Sequence, residues 1–133
     1  MLVGGPGISY LYGGSGRNLL IAGPGSSRMY AGSAGDILIG GITTYDANTT
    51  ALAYIMAEWD TSDSYSARVS KIGKRGGGLN GSYLLNGSTV SDNGVSDYLS
   101  GGAGMDWYFA HTKGRNNKDA VYGQTNGEVV TNI

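Results

Sequence analysis

Gly4–Ile39 reads GGPGISYLY, GGSGRNLLI, AGPGSSRMY, AGSAGDILI: four consecutive blocks of nine residues. The second position is Gly in every block (Gly5, Gly14, Gly23, Gly32), and the eighth is apolar (Leu11, Leu20, Met29, Leu38). The sixth is small and polar: Ser9, Asn18, Ser27 and Asp36. A fixed period with a Gly-rich first half and an apolar second half marks a repeat. Glycine permits the left-handed backbone of a tight turn. The last three residues of each block suit a short strand, whose middle side chain points one way and whose neighbours point the other.

This pattern resembles the calcium-binding nonapeptide GGxGxDxUx of repeats-in-toxin proteins. The resemblance implies a mainly β fold, a right-handed parallel β-roll or β-solenoid in which two blocks make one coil, so that each block stacks on the next but one, Asn18 on Asp36 and Ser9 on Ser27. It also implies Ca²⁺ held between stacked turns by backbone carbonyls and position-six side chains, the oxygen donors that this hard cation prefers. The first array departs from the pattern, because three of its four position-six residues are not Asp. Asn18 with Asp36 supplies one carboxylate; Ser9 with Ser27 supplies none, and no Ca²⁺ is expected there. The alternative is a roll whose turns close on hydrogen bonds and water alone.

The chain reads as a single domain over 1–133. The first array spans 4–48, a helical insert and hairpin 49–91, and a second array with a C-terminal strand 92–133. Gly40–Asn48 begins as a fifth block and breaks, with Tyr45 at position six. Leu52, Ile55, Met56 and Trp59 then fall on one face of a helix, capped by Asp46 or Asn48. A second helix is expected from Ser62 to Ile72, capped by Thr61, with Tyr65, Val69 and Ile72 as its stripe and Gly73 ending it before a Gly76–Gly78 loop. Asn86-Gly87 between two short apolar runs predicts a β-hairpin. The ninefold period returns in Asp92–Ser100 and Gly101–Phe109, with Asp97 and Asp106 at position six. A degenerate unit at Gly114–Tyr122 carries Asp119 there, after an insertion around His111–Arg115.

The metal candidates implied by the resemblance are Asp97 stacked on Asp119, helped by carbonyls such as those of Gly101 and Gly102. Asp106 pairs with a neighbour from the first array if the two arrays form one continuous roll, and Asp36 with Asn18 is a weaker site. Asp92 reads as a turn residue. Catalytic residues are lacking: the one histidine, His111, lies in a polar loop and is expected in solvent, and no nucleophile elbow occurs. Glu58 and the Lys71, Lys74, Arg75 cluster read as solvated surface.

A net charge of −1 gives no case for nucleic acid or an anionic membrane. No run is long enough for a membrane span, and without cysteine there is neither disulfide nor thiolate metal site. The resemblance implies a non-catalytic, secreted calcium-binding module, extracellular or at the cell surface, exported by type I secretion and working within a larger protein. Met1 sits almost directly on the first repeat, so no cleavable signal peptide is expected. The tail Glu128–Ile133 reads either as a secretion signal or as a final edge strand. The competing reading is a structural subunit whose open ends stack copies head to tail into a fibre.

The outward positions, seven and nine, carry one more expectation. Blocks two and four show Leu19, Ile21, Ile37 and Ile39; blocks one and three show Tyr10, Tyr12, Arg28 and Tyr30. An aliphatic face loses more in water than a tyrosine face, whose hydroxyls stay hydrated. The first helix is therefore expected on the aliphatic face.

Overall fold

The computed structural model describes residues 1–75 and 77–133. The repeat period becomes a series of short strands: β1 (Leu2–Val3), β2 (Ser9–Tyr12), β3 (Leu19–Ile21), β4 (Ser27–Gly32) and β5 (Ile37–Ile39). β6 (Ile42–Thr43) follows, then helix α1 (Thr49–Trp59), helix α2 (Tyr65–Ser70) and a π-helical turn at Lys71–Arg75. The chain returns through β7 (Val90–Ser91), β8 (Tyr98–Gly102), β9 (Trp107–Ala110), β10 (Ala120–Tyr122) and β11 (Val129–Asn132).

Successive repeat strands alternate between two parallel sheets, one ordered β1-β3-β5-β9-β11 and the other β10-β8-β4-β2. Each block thus pairs with the next but one, as Ser9 with Ser27 and Leu19 with Ile37. The two arrays are continuous: β8 adds to β4 with Leu99 beside Met29, and β9 adds to β5 with Tyr108 beside Leu38. The molecule is mainly β, with parallel strands in sheets and two short helices, consistent with a β-roll. No helix among the described residues is long and apolar enough to cross a membrane.

The position-eight side chains fill the space between the sheets. Leu11, Leu20, Met29, Leu38, Leu99 and Tyr108 belong to one buried cluster. A second cluster lies outside the first sheet, where Leu19, Ile21, Ile37 and Ile39 meet Leu52, Ile55 and Trp59 of α1. The helix covers the aliphatic face, as the outward positions require. The opposite sheet leaves its tyrosines in water, Tyr10 at 59% and Tyr12 at 64% exposure. Those rings stack along the sheet, Tyr12 on Tyr30 at 5.2 Å and Tyr98 on Tyr122 at 4.7 Å.

The insert differs from its sequence reading in several places. Asn48 caps α1 through the Ala51 N–H, whereas Asp46 closes its own turn on Thr43. The second helix starts later, with Ser64 as its cap, because the Thr61 hydroxyl donates to the Glu58 carbonyl instead. Gly73 does not end it. The helix widens into the π turn there, where Gly73 lies against the Trp107 ring. Of the expected Gly76–Gly78 loop, Gly76 lies outside the described residues, as does the Arg75 side chain.

Asn86-Gly87 makes a turn, with Val90 N–H donating to Asn86 O, but no hairpin. Leu85 is buried and bonds to Ile72 of the π turn, and Val90–Ser91 pairs antiparallel with Ile42–Thr43. Glu58 is not solvated. It is 1% exposed, with Lys71 at 3.1 Å and the Leu79 N–H donating to its other oxygen. Lys71 also pairs with Asp63, so only Lys74 of the described basic side chains in that cluster is simply exposed.

Candidate metal centre

The position-six residues lie at the start of the repeat strands, within β2 and β4 and just before β3, β5, β8, β9, β10 and β11, so stacking the strands stacks those residues into two columns, one for each sheet. In the first column Ser27 N–H donates to Asp97 Oδ1 at 2.6 Å, and Asp97 N–H donates to Asp119 Oδ1 at 2.9 Å. In the second, Asn18 N–H donates to Asp36 Oδ1 at 2.5 Å, and Asp36 N–H to Asp106 Oδ1 at 2.7 Å. That column continues with Asp106 N–H donating to Glu128 Oε1 at 3.0 Å. Each carboxylate thus joins its coil to the preceding one by a charge-assisted hydrogen bond.

The expected stack of Asp97 on Asp119 forms, and so does that of Asn18 on Asp36. Asp106 meets Asp36 of the first array. Gly101 and Gly102 lie elsewhere than expected: they end β8 and lead into the second column. A Cβ on Gly101 would overlap the Asp106 carboxylate and the Tyr108 hydroxyl, and Gly102 (φ +88°) lies against Gly32. They therefore neighbour Asp106, not Asp97 and Asp119. Glu128 was missed as a ladder residue. It follows Asp119 by nine residues, so the period itself carries one further unit. His111 is half-buried rather than solvated, and its backbone N–H donates to Asp119 Oδ2 at 2.8 Å.

The second oxygens separate the two columns. In the first, Asp97 Oδ2 accepts from Asn93 Nδ2 at 3.1 Å and Asp119 Oδ2 from His111. In the second, Glu128 Oε2 accepts from Thr125 N–H at 2.6 Å, and Asp106 Oδ2 has only a long 3.4 Å contact from the Tyr108 hydroxyl. Asp36 Oδ2 is buried and has no partner. An unpartnered carboxylate oxygen in a fully buried residue calls for a proton or a cation.

The electrostatics agree. Burial pushes the Asp36 carboxyl up to about 7, against its Asn18 hydrogen bonds and with added repulsion from Asp106. Burial likewise raises Asp106 to about 6, with the Glu128 carboxylate contributing, and raises Asp97 and Asp119 to about 6. Asp36, Asp106 and Glu128 place three carboxylates at successive levels of one column. A divalent cation would relieve both the desolvation and the repulsion. Among the described residues no three acidic or imidazole groups converge on one point. A cation here would therefore draw on turn carbonyls as well, a donor set that suits Ca²⁺.

No curated protein and no solved structure matches the chain. Residues 1–29 and 12–42 match the family model of the RTX calcium-binding nonapeptide repeat (4 copies). Repeats of this kind suggest a calcium-binding module and are generally non-catalytic, and the match lies in the N-terminal part of this chain.

Proposed function

We propose that the chain is a non-catalytic, calcium-binding β-roll module in which Ca²⁺ binds between stacked turns of the Asp36–Asp106–Glu128 column. The buried, unpartnered Asp36 Oδ2 carries this reading. Asp36 and Asp106 supply carboxylates, with Asn18, Gly101 and Gly102 in the neighbouring turns. Asp97 and Asp119 rank second because their outer oxygens already hold hydrogen bonds. Bound Ca²⁺ would neutralise the column and hold successive coils together, so that binding energy becomes folding energy. RTX repeat proteins are typically secreted by type I systems. A module that tightens where Ca²⁺ is plentiful suits a structural role outside the cell, within a larger secreted protein. Calorimetric titration with CaCl₂ tests the reading. Wild type should bind, and Asp36→Asn and Asp106→Asn should each weaken binding at least tenfold. Absence of heat with wild type, or equal affinity in all three proteins, refutes it.

One observation favours self-assembly as the second reading. β1 and β2 form one edge of the sheets, and there Leu2 is 37%, Val3 38% and Ile8 77% exposed. Unpaired edges with exposed apolar side chains invite a further coil or a second copy. Light scattering separates the readings: a monomer in Ca²⁺ supports the module, and particles that lengthen with concentration support a fibre.

A further inference from the structure

The turn at residues 92–97 stacks on the turn at residues 22–27, and one side chain joins them. Asn93 Nδ2 lies 2.8 Å from Gly23 O, 3.3 Å from Gly25 O and 3.1 Å from Asp97 Oδ2. Two turn carbonyls of one coil and a carboxylate of the next thus converge on a single nitrogen. Beside them Asp92 Oδ1 is buried without a partner. An all-oxygen set drawn from backbone and carboxylate is what a hard divalent cation collects. The orientation of the amide is set by its other end, where Asn93 Oδ1 accepts from Val95 N–H at 3.1 Å. Turned over, it would place an oxygen against three oxygens. One coil on, Asn117 Nδ2 donates to a single turn carbonyl, Gly94 O, at 2.7 Å.

We infer that the Asn93 amide holds the position of a divalent cation between these two turns. This level of the stack therefore closes without metal, and the calcium-dependent level lies in the opposite column. An amide N–H₂ offers two donors and no net charge. Its two N–H groups serve Gly23 O and Asp97 Oδ2, with Gly25 O sharing one of them at 3.3 Å, in any calcium concentration, whereas a cation would do so only when bound. Half of the coil is then held permanently and the other half responds to Ca²⁺. The placing of the calcium-dependent level rests on the function proposed above; the assignment of Asn93 rests on its own geometry.

Asn93→Asp replaces the donor with a further carboxylate beside Asp92 and Asp97, and Asn93→Ala removes the side chain. Both are compared with wild type by calorimetric titration with CaCl₂ and by thermal melting in EDTA and in CaCl₂. Asn93→Asp should bind one more calcium equivalent than wild type. It should melt below wild type in EDTA and recover in CaCl₂. Asn93→Ala should melt below wild type in both. The inference is overturned if Asn93→Asp binds no additional calcium or stays unfolded in CaCl₂, or if Asn93→Ala melts like wild type in EDTA. Calcium binding by Asn93→Asp but not by wild type would uphold the role of Asn93 and refute the Asp36 column. Binding by wild type with no gain in Asn93→Asp would do the reverse.

Discussion

Replacing Ile37 by Ala tests how the repeat sheet is held to its insert. Ile37 is 0% exposed, in the cluster that contains Leu19, Ile39, Leu52, Ile55 and Trp59. Its truncation leaves a cavity between a sheet and a helix, neither of which closes easily, and such changes cost about 2–5 kcal/mol. Against a total stability on the order of 5–15 kcal/mol this is a large share. For a chain of this size about 4 °C of melting temperature is lost per kcal/mol, so the melt should fall by roughly 10 °C or more. Tyr12→Ser is the comparison. Tyr12 is 64% exposed and rests on the sheet through its stack on Tyr30, so its loss should cost about 1 kcal/mol or less. Circular dichroism melts of both variants in saturating CaCl₂ measure the difference. Equal shifts, or a larger shift for Tyr12→Ser, would refute the assignment of the faces.

Asp36→Asn should raise the melting temperature in EDTA at pH 7.5, because it removes a buried charge, and should reduce the further rise on adding CaCl₂; the same melts at pH 5 should nearly coincide with wild type in EDTA. Calcium-free wild type should lose stability as pH rises from about 4 to about 7. Its folded carboxyls at Asp36, Asp97, Asp106 and Asp119 titrate near 6–7 rather than 3.8, so the folded state holds the extra protons in that window. In CaCl₂ the decline should flatten or reverse, because metal and protons compete for the same oxygens; denaturant melts across the pH series measure both slopes. Gly101→Ala should destabilise the protein in EDTA and CaCl₂ alike, since a Cβ there would overlap the Asp106 carboxylate and the Tyr108 hydroxyl, and a wild-type melt for that variant would contradict the packing described.

The repeat strands were legible because nine-residue spacing, inward apolar residues and turn glycines all repeat within a short window. So was the covering helix, whose stripe and the aliphatic outer face of β3 and β5 each need the other. What escaped depended on distant partners. The bond from Asn93 to Gly23 spans 70 residues; that from Asp36 N–H to Asp106 spans as many and was legible only on the condition that the two arrays form one roll. Glu58 read as surface because Lys71 and the Leu79 N–H reach it from later segments. The Asn86-Gly87 turn was local and visible, but the strands expected around it lost to burial of Leu85 near the π turn and to pairing of Val90 with Thr43. Glu128 was hidden by being glutamate where the pattern has aspartate, although its spacing from Asp119 was in plain view.

The most direct measurement is the anomalous difference map of crystals grown in CaCl₂, collected at long wavelength. The account predicts a cation peak in the second column at about 2.3–2.6 Å from Asp36 Oδ2, and none between the turns joined by Asn93. A map with no peak near Asp36, or with its cation in place of the Asn93 amide, would contradict it.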